Sequence, residues 1–222
     1  MVAATVFETL RVRIMIGDLA PGAEVEPDHL AGDDLGDAAE VHDALLLLVG
    51  EGLVEDAGAG TFRIAPLDPQ RAIENLELFQ AIAASAVTWS MARLDDSTLV
   101  VIRQASARYE VAVEAFDMNE ATIAFDAFLS ALLGASNNRE LEFVLRPIQT
   151  RFLRAVRLYL PTAEAGAGGD FVRHHRTTME AIEARDAAKL VTHFGERLEG
   201  FRRAFEAQAA GAREGLQAGS SG

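Results

Sequence analysis

Side chains that ordinarily carry covalent or metal chemistry are scarce in this sequence. It has no cysteine, which excludes disulfides, thiolate nucleophiles and cysteine-ligated zinc. No Gly-x-Ser-x-Gly elbow, phosphate loop or His-Glu-x-x-His pair occurs. Gly58 and Gly60 are a lone pair suited to a turn. Arg146, Arg151, Arg154 and Arg157 punctuate one helical stretch. Arg151 and Arg154, three apart, have the spacing to clamp a ligand carboxylate, but a solvated or ion-paired face is the simpler reading. Trp89 reads as core or dimer contact, and Tyr109 and Tyr159 have no identifiable partner.

Charge narrows the choice of partner. The 222 residues carry a formal charge of −14, and Lys189 is the one lysine among twenty basic residues. The imbalance is concentrated at the front. Residues 1–66 hold three arginines (Arg11, Arg13, Arg63) against thirteen acids, a net of −10. Such a surface repels phosphate backbones unless basic groups are gathered on one face. No basic leader precedes an apolar run, and no apolar run reaches about 18 residues. The expected compartment is therefore the cytoplasm, with no membrane partner.

The elements that must position any site fall into two groups. Residues 4–16 have helical apolar spacing and stop at Gly17, and residues 27–34 read as a short helix. Asp37 followed by Glu40 has the form of a capping box ahead of a helix over 41–49. Leu53-Val54 and Thr61 to Ile64, joined through a glycine turn, read as a hairpin. Three helices and a hairpin make a winged helix-turn-helix. After Pro66 the strand signals end. Helices are expected over 69–93, 95–116, 119–134, 138–160, 170–184 and 186–210, with Asn119 and Asp186 as caps. The fold class is mainly α, with a winged helix-turn-helix over 1–66, an all-helical bundle over 67–210 and a flexible Gly/Ser-rich tail over 211–222. Residues 163–169 read as a flexible loop.

These residues resemble the GntR superfamily of bacterial regulators, in its FadR-type branch with the helical effector domain called FCD. The N-terminal resemblance rests on Gly17-Asp-Leu-Ala-Pro-Gly22, Leu30-Ala31, Val41-His-Asp-Ala-Leu45, Glu51-Gly-Leu-Val54 and Gly60-Thr-Phe62. The C-terminal resemblance rests on Ala135-Ser-Asn-Asn138, His175, Ala181-Ile182 and Asp186. It implies a DNA-reading unit, an effector cavity and a homodimer.

Departures from the family pattern carry the functional information. The usual recognition helix opens Ser-Arg-Thr-Pro-Val-Arg-Glu-Ala-Leu. Here Asp37 stands at the serine, Ala38 at the first arginine and His42 at the second. Asp37 can still cap the helix. Neither Ala38 nor His42 replaces the planar donor fork of arginine. The wing reads Glu55-Asp-Ala-Gly-Ala-Gly60, without the basic residues common there. DNA binding is therefore expected to be weak or lost.

In the effector domain the resemblance implies a metal held by an Asp and a His four apart, a third His and a last His. Those positions read Phe125, Leu129, His175 and Arg197. One ligand of four remains, and Asp126 lies one residue off the Asp position. No metal or other cofactor is expected, although His193, one turn before Arg197, leaves a rearranged site with His175 to consider. A cavity Arg followed four residues later by Glu reads Leu76 and Gln80. A pocket lined by Leu76, Gln80, Phe125, Leu129, His175, His193 and Arg197 would take a small apolar or aromatic organic ligand. The opposing reading is that the cavity is filled and has become core.

Three functions follow. The first is a regulator homologue that has lost ordinary DNA reading and binds an apolar molecule, with metal-free cyclisation, isomerisation or dehydration as an extension. In that extension His175 is the general acid or base and Arg197 stabilises an oxyanion. The second is a conventional ligand-responsive repressor. The third is a partner that sequesters a true regulator.

Overall fold

A computed structural model of the chain describes residues 2–32, 35–160 and 167–219, with side chains placed over 5–32, 35–160 and 171–211. The described residues form nine helices and three strands. They divide into two units, Met1–Asp68 and Pro69–Gly222.

The first unit is a winged helix. Helix α1 (Val2–Ile16) packs against α3 (Ala38–Gly50), and the short α2 (Pro27–Leu30) lies against α3 as well. The capping box at the start of α3 is formed. Asp37 Oδ1 accepts the Glu40 backbone N–H at 2.9 Å, and the Glu40 carboxylate accepts the Asp37 N–H at 3.2 Å. Such a cap contributes about 1 kcal/mol. The apolar positions of α1 and α3 (Val6, Leu10, Ile14, Val41, Leu45 and Leu48) close on Phe62 and Ile64 to make one core.

The sheet has the order β1-β3-β2, with β1 Glu24–Val25, β2 Val54–Gly58 and β3 Thr61–Ile64. All pairings are antiparallel, in a register that sets Val25 opposite Phe62 and Val54 opposite Ile64. A two-residue strand leaves no periodic signal, so β1 was not expected from the sequence. The wing turn takes positive φ at Gly58, Ala59 and Gly60 (86°, 54° and 80°), which is why glycine flanks the tip. Helix α2 ends at Leu30 rather than 34, because Gly32 and Gly36 bridge and turn the chain. Asp33 and Asp34 lie outside the described residues.

The second unit contains α4 (Pro69–Arg93), α5 (Asp96–Glu114), α6 (Met118–Gly134), α7 (Arg139–Tyr159), α8 (Ala167–Glu183) and α9 (Ala187–Gly219). Helix α4 packs on α9, α7 and α6, while α5 packs on α6 and α8. The cap of α6 is Asp117, whose carboxylate accepts the Glu120 N–H, and Asn119 instead accepts from Arg157. Asp186 accepts the Lys189 N–H as its spacing suggests. Residues 167–169 are helical where a loop was expected, and 161–166 lie outside the described residues. The expected tail is helical to Gly219, since Ala, Arg, Glu, Leu and Gln there propagate a helix and no proline stops it. Residues 220–222 are not described. No helix among the described residues is long and apolar enough to cross a membrane.

Candidate functional site

The candidate site is built where α5, α6, α8 and α9 meet. Helix α8 buries Val172, His175, Thr178, Ala181 and Ile182 at helical spacing. Helix α5 answers with Ser106, Tyr109, Ala112 and Val113, and α6 with Ala121, Ala124 and Phe128. His175 sits at the centre and is only 4 % exposed. Its Nε2 lies 2.8 Å from Ser106 Oγ, while Nδ1 is buried with no hydrogen-bond partner. Aromatic rings surround it, with Tyr109 at 4.6 Å and Phe128 and Phe125 edge-on at 4.7 and 6.1 Å.

Burial in this box sets the protonation states. It pushes His175 down to about 4, against a weak opposing pull from Glu110, so the ring is neutral at pH 7. It pushes the Tyr109 hydroxyl up to about 12, partly offset by the charge of Arg197. The Arg197 guanidinium lies between two aromatic faces, 4.5 Å from the Phe171 ring centre and 4.6 Å from that of Phe201. These are cation–π distances.

The cavity between these groups has a volume of about 30 Å³ and is lined by Tyr109, Phe125, Phe128, Phe194, His175 and Arg197, among others. That is room for about one water molecule. His175, Phe125 and Arg197 therefore converge as the matched positions imply.

Leu76, Gln80, Leu129 and His193 do not line the cavity. Leu76 and Leu129 are buried as ordinary core, and Gln80 is half-buried. The reason on the α4 side is aromatic bulk. Phe194 forms the cavity wall and meets Phe79 of α4 at 6.1 Å; Phe79 is itself stacked on Phe152 at 4.8 Å. On α6 the lining pair is Phe125 and Phe128, so the face is set by i, i+3 rather than i, i+4. His193 is drawn off by the backbone, donating from Nε2 to the His174 carbonyl at 3.0 Å. It borders a separate surface hollow with Thr177, Asp186 and Lys189.

A metal of the family's kind does not fit this donor set. Two of the four positions are hydrocarbon and one is a cation. Asp126 faces away, as a one-residue offset requires, and is held by Arg146 at 3.2 Å and Gln149 at 2.8 Å. Among the described residues, no three His, Asp or Glu converge to hold a metal ion. Arg154 is also no solvated clamp. It is buried, and burial lowers it to about 10, while Arg151 donates to Asn75.

Ser106, Tyr109, Phe128 and Phe171 were missed in the sequence. A serine and a tyrosine three apart on an otherwise apolar helix face are the signal that could have pointed to two of them.

The recognition surface is equally informative. Asp37 is committed to its cap, Ala38 is half-buried, and His42 lays its ring edge-on to Phe62 at 5.5 Å. All three arginines of the first unit are held by carboxylates. Arg11, almost fully buried, pairs with Glu8 at 2.5 Å, Arg13 with Asp18 at 2.6 Å and Arg63 with Glu24 at 2.9 Å.

Comparison with known proteins agrees with this architecture. The FCD domain family matches residues 74–200. McbR/YncC of E. coli is 21% identical over 94% of this chain and 98% of its own, with a TM-score of 0.80. A GntR transcriptional regulator from Rhodococcus sp. RHA1 is 20% identical over 95% and 98%, with a TM-score of 0.73. A GntR family member from Pseudomonas syringae pv. tomato is 18% identical over 97% and 89%, with a TM-score of 0.54. No curated protein matches the chain. A winged helix followed by a helical bundle is the fold this chain shares with these regulators. The chain belongs to the FCD domain family, whose model matches more than half of it.

Proposed function

We propose that this GntR-family protein senses a small apolar or aromatic molecule at His175 and does not read DNA through its recognition helix. It acts as a homodimer in the cytoplasm. The observation that carries the ligand reading is the buried, unpartnered Nδ1 of His175 at the edge of an aromatic box. A buried polar atom without a partner costs about 1–3 kcal/mol, which a ligand hydroxyl or ring nitrogen would recover. Because the cavity holds little more than a water, the half-buried Phe125 and Phe171 must swing aside to admit an aromatic ring. Phenol is a suitable probe. It is expected to raise the melting temperature of the wild type and to leave His175→Phe unchanged. Equal shifts in both proteins would end the reading.

Binding is favoured over catalysis by the same environment. A ring whose pKa is about 4 is a weak base at neutral pH, and the volume beside it admits no substrate in the closed form. The roles considered for His175 and Arg197 in acid–base chemistry therefore give way to recognition.

Support for the loss of DNA reading comes from the locked arginines and the net charge of −10 over residues 1–66. Phosphate contacts supply nearly all non-specific affinity, and each of these guanidiniums already has a carboxylate partner. Duplex DNA from the region upstream of the gene is expected to show no sequence-dependent binding at physiological salt. Nanomolar, sequence-dependent binding in a titration would overturn this. Introducing Ala38→Arg together with His42→Arg should raise general DNA affinity.

Leu78, Ile82 and Trp89 lie on the outer side of α4, with Leu78 and Trp89 47 % and 42 % exposed. This stripe is the surface assigned to the homodimer, and Trp89 is accordingly not core. Light scattering should report about twice the 23.8 kDa of one chain. A single-chain mass across the micromolar range would refute the assignment.

A further inference from the structure

The outer face of α3 presents Ala39, Asp43, Leu46, Leu47 and Gly50 to solvent. Leu46 and Leu47 are 45 % and 59 % exposed, and the Asp43 side chain is 76 % exposed. None of these side chains is a donor that could meet a base edge or a phosphate. The elements packed against α3 add exposed acids, namely Asp28 on α2 and Glu55 and Asp56 on β2. Two adjacent leucines therefore stand on a helix within a strongly acidic unit whose three arginines are each paired.

We propose that this face is a docking surface for a cationic amphipathic helix of another protein, and that it takes such a helix in place of DNA. The argument is charge complementarity combined with exposed apolar area. A net charge of −10 over residues 1–66 repels duplex DNA, an anionic lipid surface and the same face of a second copy. It attracts a segment rich in lysine and arginine and hastens encounter with it. The leucines then supply short-range burial, as anchors do when an amphipathic helix meets an apolar surface. The two contributions separate experimentally, because only the first weakens with salt.

This inference rests on the reading that the first unit does not contact DNA, so the test carries both arms. The probe is a labelled synthetic helix of about five turns with leucine on one face and lysine on the other. Its counterpart has glutamate in place of lysine. Both are titrated into the full-length protein by fluorescence anisotropy, beside a labelled DNA duplex. The lysine helix is expected to bind, to weaken as salt rises, and to lose about tenfold or more in affinity against Leu46→Glu/Leu47→Glu. The glutamate helix is expected not to bind. Circular dichroism and the melting temperature confirm that the exposed substitutions leave the fold intact.

Lysine-helix affinity unchanged by the leucine substitutions, equal binding of the glutamate helix, or no binding of either overturns the docking surface. In that last case, absence of DNA binding leaves the proposed function standing. Duplex binding by the wild type at physiological salt overturns both together.

Discussion

Acidification from pH 7 to pH 4 is expected to cost the folded protein on the order of 3 kcal/mol through His175 alone. The folded ring is pushed down to about 4 by burial, against an ordinary 6.5, and each unit of difference is worth about 1.4 kcal/mol. The sign follows from linkage. Above 6.5 the ring is neutral whether the chain is folded or not, and the full stability is present. Between 6.5 and about 4 the unfolded chain takes up a proton that the folded chain refuses, so stability falls as pH falls. Of the other groups with lowered values, Arg154, at about 10, keeps its charge throughout this range, and Asp95 and Glu199 are exposed carboxylates that contribute little after solvent screening.

The control is His175→Phe combined with Ser106→Ala. It removes both ends of the 2.8 Å hydrogen bond and leaves no orphaned hydroxyl. Denaturant unfolding measured at intervals from pH 7 to pH 4 should give a steeper loss for the wild type than for this variant. Parallel pH dependences for the two proteins would show that His175 is not held neutral by burial.

Phe128→Ala is expected to lose about 3–5 kcal/mol, the usual range for a buried phenylalanine cut to alanine. Phe128 is 1 % exposed, with its ring 4.7 Å from His175 and stacked at 5.7 Å on Phe125. Removing the ring merges its volume with the adjoining cavity of about 30 Å³, and the packed helices on either side resist collapse. The enlarged space, walled largely by aromatic rings, has the character of cavities that accept benzene. Saturating benzene should therefore restore part of the lost stability in the variant and stabilise it by more than it stabilises the wild type. A loss below about 1 kcal/mol, or indifference to benzene, would show that the site repacks. Phe116→Ala is the reference, since Phe116 is 75 % exposed and should change stability by about 0.5 kcal/mol or less.

The proposed ligand reading implies a change in what the effector cavity recognises. A metal site binds ligand oxygens through charge. The box around His175 offers aromatic faces, one neutral ring nitrogen and a guanidinium already sandwiched between Phe171 and Phe201. On that proposal its selectivity would come from shape and a single hydrogen bond. The paired arginines of the first unit are the structural support for the proposed loss of DNA reading.

Local signals carried most of the fold. Apolar spacing located the main helices, and the Asp37–Glu40 spacing foretold a capping box whose two hydrogen bonds are both made. These features depend on residues within a turn or two of one another, and short-range physics decides them. The departures at Ala38, His42, Phe125 and Arg197 were equally legible, because a change of side-chain chemistry needs no coordinates. Tertiary structure alone decided the rest. It selected Phe128 over Leu129 for the cavity wall, since a rotation of α6 by a fraction of a turn exchanges i, i+3 for i, i+4. It set Phe79 and Phe194 where α4 might have reached the cavity and so left Leu76 in the core. It also paired Ser106 with His175, 69 residues apart, and Arg63 with Glu24, 39 residues apart. Sequence spacing shows which groups exist and on which helical face they start. Only the packing of whole helices settles which of those groups lose water, and burial is what makes His175 neutral and leaves its Nδ1 without a partner.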